Sequence, residues 1–186
     1  FHLVPDGART EWESYGARIG YVASKKLWIF GYKLYLLVTL SGVIIDFMLV
    51  PANVGELEAG TEVLAEQTDL DVLGDKAFVS APLAERLAVE HGIRLLVLPR
   101  CNQRVQVPKA WRTVCGAARQ IVETVNSQLA EQFGVEVNHA QSFWGLTARL
   151  STKLTAHTLC LYLNRLLGKP DFLHLKELAF PPPTTI

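Results

Sequence analysis

Cysteine is scarce in this chain: Cys101, Cys115 and Cys160 are the only three among 186 residues, and no CxxC pair occurs. An odd, scattered set excludes a disulfide scaffold and a cysteine zinc site, and it fits a reducing compartment. Also missing are an HExxH helix, a GxSxG elbow and a GxxxxGK[ST] phosphate loop. Zinc hydrolases, serine hydrolases and P-loop enzymes are set aside with them. The five histidines (His2, His91, His139, His157, His174) show no ligand spacing. Long apolar runs are absent but for Leu34–Val50, which is interrupted by Ser41-Gly42 and carries Asp46. A mid-membrane Asp costs ~2.5–3.5 kcal/mol, and the run is rich in β-branched and aromatic residues, so it reads as a hairpin of buried strands and not as a membrane span. What is present, 49% hydrophobic and 19% charged residues, describes a folded globule.

The 18 basic and 18 acidic residues cancel, yet they are unevenly placed. Residues 1–75 hold 5 basic and 11 acidic side chains; residues 76–186 hold 13 and 7. From Arg94 to Arg119 there are six cations (Arg94, Arg100, Arg104, Lys109, Arg112, Arg119) and no acid. Such asymmetry points to a polyanion on one face, or else to a solvated basic loop.

The pattern predicts a strand tail at Leu3-Val4-Pro5 and a loop over Asp6–Tyr15. Strands follow at Lys26–Thr39 and Val43–Val50, the second ended by Pro51. A helix over Val54–Gln67 is expected to be capped by Asn53. Asp69–Gly74 and Ile93–Leu98 are short buried strands, with a helix over Pro82–His91 stopped by Gly92 between them. Two long helices close the chain. Trp111–Phe133 carries the apolar stripe Val114, Ala118, Ile121, Val125 and Leu129. Gln141–Leu167 has Phe143, Leu146, Leu150, Leu154, His157 and Leu161 on one face. His157 is expected as a packed core histidine. Trp111 and Trp144 are expected as core anchors, with stacking on bases as their other use. This order implies an α/β fold with a mixed sheet, three antiparallel strands then alternating helices and strands, helices on both faces and an additional C-terminal helix. The ribonuclease H-like fold has that order.

Two carboxylates stand out. Asp75 follows Gly74 at the carboxyl end of a short strand, where ligands gather in open α/β sheets; an Asp there also simply starts turns. Glu123 lies four residues after Arg119 on the long helix, so the two meet on one face; an exposed pair of this kind is also ordinary surface chemistry. Together an Asp and a Glu on different elements suit a hard divalent cation. Two such ions clamp the attacking and leaving oxygens of a phosphodiester exchange. The cations Arg100, Arg104, Lys109, Arg112 and Arg119 would then hold the strand being cut.

Four stretches resemble the DDE-type insertion-sequence transposases, whose catalytic domain is ribonuclease H-like. Tyr21–Thr39 (YVASKKLWIFGYKLYLLVT) is similar to the family's second strand, and Val50–Glu56 (VPANVGE) to its turn into the first helix. Gly74–Phe78 (GDKAF) resembles the Gly-Asp-Lys-Gly-Tyr that carries the second catalytic carboxylate, with Ala77 and Phe78 in place of Gly and Tyr. Arg119–Leu129 (RQIVETVNSQL) resembles the helix of the third, the catalytic Glu. The resemblance implies a DNA transposase that cleaves transposon ends and transfers the strand to target DNA. Asp75 and Glu123 would be catalytic metal ligands, with Arg119 supporting the Glu and the DNA backbone. It also implies two Mg²⁺ ions, a homo-oligomer at full length, no membrane, and a bacterial-type cytoplasmic, nucleoid-associated setting. The first catalytic Asp is expected upstream of Phe1. Residues 1–168 then read as a truncated catalytic domain that is inactive alone, and 169–186 as a C-terminal tail. A DNA-binding remnant without catalysis, a nuclease of the same fold, and an unrelated α/β protein are the other readings.

Overall fold

A computed structural model of the chain describes residues 2–3, 9–22, 26–74, 80–97, 108–137, 139–171 and 173–179. Twelve elements follow in order: β1 (His2–Leu3), α1 (Arg9–Ser14), β2 (Arg18–Val22), β3 (Leu27–Val38), β4 (Ile44–Pro51), α2 (Glu56–Ala65), β5 (Asp71–Gly74), α3 (Ala81–His91), β6 (Arg94–Val97), α4 (Lys109–Glu131), α5 (Phe143–Leu166) and α6 (Lys176–Ala179).

The 12-residue strand β3 is the axis of a four-stranded sheet. It pairs antiparallel with β1, β2 and β4, in register Leu3↔Tyr32, Tyr21↔Trp28 and Leu34↔Leu49. The apolar run Leu34–Val50 is therefore the β3–β4 hairpin. Asp46 accepts hydrogen bonds from Phe47 N at 2.7 Å and Gln67 Nε2 at 2.8 Å. Among the described residues no helix is long and apolar enough to cross a membrane.

Alternation along β3 divides its side chains between two layers. Tyr32 and Leu34, with Phe30, Leu36 and Val38, pack with Val125 and Leu129 of α4 and Leu146, Leu150 and Leu154 of α5. On the other face, Lys33 Nζ donates to Val54 O at 3.1 Å ahead of α2. Leu37 there packs with Leu64, Leu83, Leu87, Ile93, Val72 and Leu95. At ~1.5–3 kcal/mol for each large apolar side chain fully buried, these two clusters dominate the folding free energy.

Several expectations need correction. The segment Asp6–Tyr15 is not all loop: α1 occupies Arg9–Ser14 and buries Trp12 to 1% exposure, edge-on to Tyr32 at 6.3 Å. The Trp in the core is thus Trp12, while Trp144 is 68% exposed. An extra strand, β2, precedes β3 and pairs antiparallel with it from Arg18↔Gly31 to Val22↔Leu27, with Lys26 at a left-handed φ of 51°. Helix α2 starts two residues later than expected and is capped by Gly55, not Asn53. The reason is local: Val54 N bonds to Pro51 O at 3.0 Å, and this turn takes up Asn53. The single mixed sheet is replaced, among the described residues, by the antiparallel sheet and a separate parallel pair, β5 with β6. Side chains, Leu37 above all, join the two where no backbone ladder does.

Other boundaries hold. Ser80 caps α3, and Gly92, at φ 66°, ends it in the left-handed conformation that glycine adopts without strain. Ser142 caps α5 by accepting from Gly145 N at 3.1 Å.

Candidate nucleic-acid and metal site on helix α4

Helix α4 runs 23 residues, with a pronounced apolar stripe. Ala118, Val125 and Leu129 are buried as expected, Ile121 is half-buried, and Val114 is 44% exposed. Burying the Val125/Leu129 side turns Glu123 outward. Its carboxylate Oε1 accepts from Arg119 Nε at 2.9 Å, the i, i+4 contact expected from spacing. Both side chains are largely exposed, 71% for Arg119 and 62% for Glu123.

Glu123 stands on the wall of a groove of about 420 Å³. One wall is α4, with Gln120, Glu123, Thr124, Ser127 and Glu131; the other is Leu173–Lys176, the segment after α5. Sequence alone assigns that segment to a tail. It is instead held by buried groups. Leu175 is 4% exposed, and Leu173 packs against the main core. Gly42, at φ 85°, lets Leu173 sit directly on the β3–β4 turn, since any Cβ there would collide with its Cδ2.

Three polar side chains are buried among the described residues: Gln128, His157 and Asn164. Each takes part in anchoring this segment. Gln128 Nε2 donates to Leu173 O, and Asn164 Nδ2 donates to His174 O at 3.2 Å. His157 Nε2 lies 2.9 Å from Gln128 Oε1, which fixes the amide so that its NH₂ faces Leu173. His157 is fully buried and packs edge-on to Phe133 at 5.5 Å. Burial pushes its imidazole down to about 4, so it is a neutral core histidine at pH 7, as expected, and not a ligand. The sequence signal for Gln128 was a lone amide beside Val125 and Leu129 on an apolar stripe, facing a helix with its own lone histidine.

The remaining predicted residues fall as follows. Lys109 and Arg112 are exposed on the first turns of α4. Arg94, first of the cation run, is exposed and paired with a carboxylate. It forms a two-pronged pair across β5–β6 with Asp71, at 2.6 and 2.5 Å, which holds that carboxyl below the usual range. Asp75, Arg100, Arg104 and Cys101 lie outside the described residues. Among the described residues no three His, Cys, Asp or Glu side chains cluster as a metal site. Glu123 supplies one hard, exposed carboxylate, the right donor type for a divalent cation but too few donors to hold one alone.

With this geometry in view, the comparison with protein families is decisive: residues 15–143, more than half of the chain, match the transposase DDE domain. The chain belongs to that family. No curated protein and no solved structure matches it. The DDE-domain match runs from the end of α1 to the first residue of α5 and includes both Gly74-Asp75 and Glu123. The rest of α5 and the anchored segment beyond it lie outside the match.

Proposed function

We propose that this chain is the catalytic part of a DDE-type DNA transposase, with Asp75 and Glu123 as two carboxylates of its metal site. Membership of the DDE-domain family carries this reading, and the exposed carboxylate of Glu123 on a core-anchored helix supports it. The third carboxylate is the Asp expected ahead of Phe1. When bound, two Mg²⁺ ions would activate the nucleophile and stabilise the leaving oxygen. In the first step the oxygen of water bonds to the phosphorus at the transposon end, and the 3′-oxygen leaves as a hydroxyl. In the second, that hydroxyl attacks a target phosphodiester and displaces its 3′-oxygen. Arg119 steadies Glu123 through its 2.9 Å bond and faces the DNA backbone. Arg100, Arg104, Lys109 and Arg112 extend the contact along the phosphates.

DNA as substrate, at the transposon end and at the target, places the protein with the nucleoid. Full-length protein works as a homo-oligomer in this reading; the outward stripe Leu159, Tyr162, Leu163 and Leu166 on α5, each more than 40% exposed, is a face suited to a second copy.

The test uses a chain that includes the upstream Asp. Glu123→Gln abolishes end cleavage and joined product in Mg²⁺, a loss of at least ~10³-fold, while duplex affinity stays within about twofold. Residues 1–186 alone give no joined product in the same assay. Retained cleavage by Glu123→Gln removes Glu123 from the site. Cleavage without joined product makes the enzyme a nuclease of the same fold.

A further inference from the structure

We infer that α5 pairs antiparallel with α5 of a second copy of this chain, along a seam of six exposed residues; the inference rests on the self-association in the reading above and not on its metal site. The six are Ala148, Thr152, Thr155, Leu159, Tyr162 and Leu166, every one exposed. They recur at alternating steps of four and three residues, the repeat of a helix that packs lengthwise on another helix. Single exposed apolar residues are ordinary, but a row in this repeat is not. Helix α5 thus has two apolar sides. Leu146, Leu150, Leu154 and Leu161 are buried in the chain's own fold, and the C-terminal half of the seam is apolar on the opposite side. The match to the DDE-domain family ends at residue 143, so nothing in that match assigns a role to the seam.

The order of sizes along the seam gives the occupant. Its N-terminal half is small (Ala148, Thr152, Thr155) and its C-terminal half is large (Leu159, Tyr162, Leu166). An antiparallel copy sets each large residue against a small one. Leu166 meets Ala148 of the second copy, Tyr162 meets Thr152, and Leu159 meets Thr155. A parallel copy would set Tyr162 against Tyr162 and Ala148 against Ala148, crowded at one end and hollow at the other. The seam is therefore complementary to itself, as a twofold interface must be. A partner of another sequence has no need of that match.

Polarity and area agree with this. No seam residue is charged, and Thr152 Oγ1 already donates to Ala148 O at 2.9 Å, so covering it strands no hydroxyl. Lys153 Nζ, beside Thr152 in the chain, turns back to donate to Gly134 O at 2.6 Å and Val137 O at 3.1 Å. Antiparallel helices also bring opposite dipole ends together. Leu159, Tyr162 and Leu166 are 53%, 57% and 64% exposed, and Leu163 beside them is 41% exposed. With the three small residues they offer roughly 500–600 Å² per copy, so a pair reaches the ~1,000 Å² at which specific interfaces begin. An interface of that size gives a dimer that depends on concentration in the micromolar range.

The experiment is sedimentation equilibrium of the 186-residue chain between ~1 and ~100 µM, where the parent is expected to pass from monomer to dimer. Leu159→Glu is expected to raise the dimer dissociation constant at least ~10-fold. Val89→Glu, which puts the same charge at an 81% exposed site on α3, leaves it unchanged. Circular dichroism confirms that each variant is folded. Orientation is read by oxidative cross-linking at a concentration where the chains are dimeric, with the joined peptides identified by mass spectrometry. A mixture of Ala148→Cys and Leu166→Cys chains should join position 148 to position 166. Neither variant should join that position to itself, because equal positions lie ~27 Å apart in the antiparallel pair. Position 148 joined to itself, or no 148–166 link in the dimer, overturns the antiparallel seam. A parent that stays monomeric at ~100 µM, or a dimer indifferent to Leu159→Glu, overturns the interface altogether. In each case the carboxylate reading stands, since its own test is the cleavage assay of Glu123→Gln.

Discussion

From Ala118 onward, α4 buries Ala118, Val125, Gln128 and Leu129, whereas its first nine residues, Lys109–Ala117, bury none. The two halves of one helix thus meet opposite surroundings, and the predicted functional groups are divided accordingly. Lys109 and Arg112 ride on the unburied half, and Glu123 on the anchored half. Their chemistry asks for this. A metal-binding carboxylate needs its backbone held to within about half an ångström. A lysine or arginine tracking phosphates acts over several ångströms and tolerates a mobile base.

The sharpest way to break this comparison is to cut the same helix at equivalent apolar positions in each half. Leu129 is completely buried and Val114 is 44% exposed, although both lie on the stripe that sequence periodicity marks as core. Leu129→Ala should lose about 2–5 kcal/mol of unfolding free energy, a transfer term plus a cavity term. Val114→Ala should lose less than ~0.5 kcal/mol. Urea denaturation of both variants decides it. Equal losses would mean that the first half is also packed.

How far the sequence could be read follows from the same helix. Periodicity located α4 and α5 to within two residues at most ends, because a buried face imposes its 3.6-residue repeat on any sequence that fills it. The β3–β4 hairpin and the Gly92 stop were legible for similarly local reasons. Periodicity does not say where along a helix the partner ends, so Val114 was assigned to the core. Trp12 was missed because a single six-residue helix has too few turns to show a repeat. The docking of Leu173 was invisible because its partners, Gln128, Gly42 and Val125, are 45 or more residues away in sequence. Of the site, Glu123 with Arg119 was legible from i, i+4 spacing, while the groove around it depends on that distant segment.

A second test concerns what anchors the anchored half. His157 is buried and neutral, its imidazole pushed down to about 4 by desolvation, against about 6.5 when unfolded. Below pH 6.5 the unfolded chain therefore takes up a proton that the folded chain refuses. This contribution to stability is complete above pH ~6.5, is lost as pH falls from ~6.5 to ~4, and changes no further below. Between pH 7 and pH 5 it amounts to about 2 kcal/mol. Other groups titrate in that window, so the measurement is the difference between parent and His157→Gln, in urea, at the two pH values. The parent should lose about 2 kcal/mol more on acidification than the variant. The same loss in both would mean that His157 reaches water and that the Gln128–Leu173 anchor is looser than its geometry implies.

The smallest expected effect falls on the boundary between the halves, at the Arg119–Glu123 pair. With both side chains more than 60% exposed, its free energy is screened by water and salt and offset by the entropy of ordering two long side chains. Arg119→Ala should therefore change unfolding free energy by less than about 0.5 kcal/mol, and adding salt should erase what remains. A pair that contributes so little to stability has no folding reason to hold Glu123 in one rotamer. If Arg119→Ala leaves stability alone yet weakens duplex binding and flattens its salt slope, the arginine serves the ligand, as the proposed site requires. If instead stability falls by more than about 1 kcal/mol with binding unchanged, the pair belongs to the scaffold, and Glu123 loses the one neighbour that now marks it as part of a functional surface.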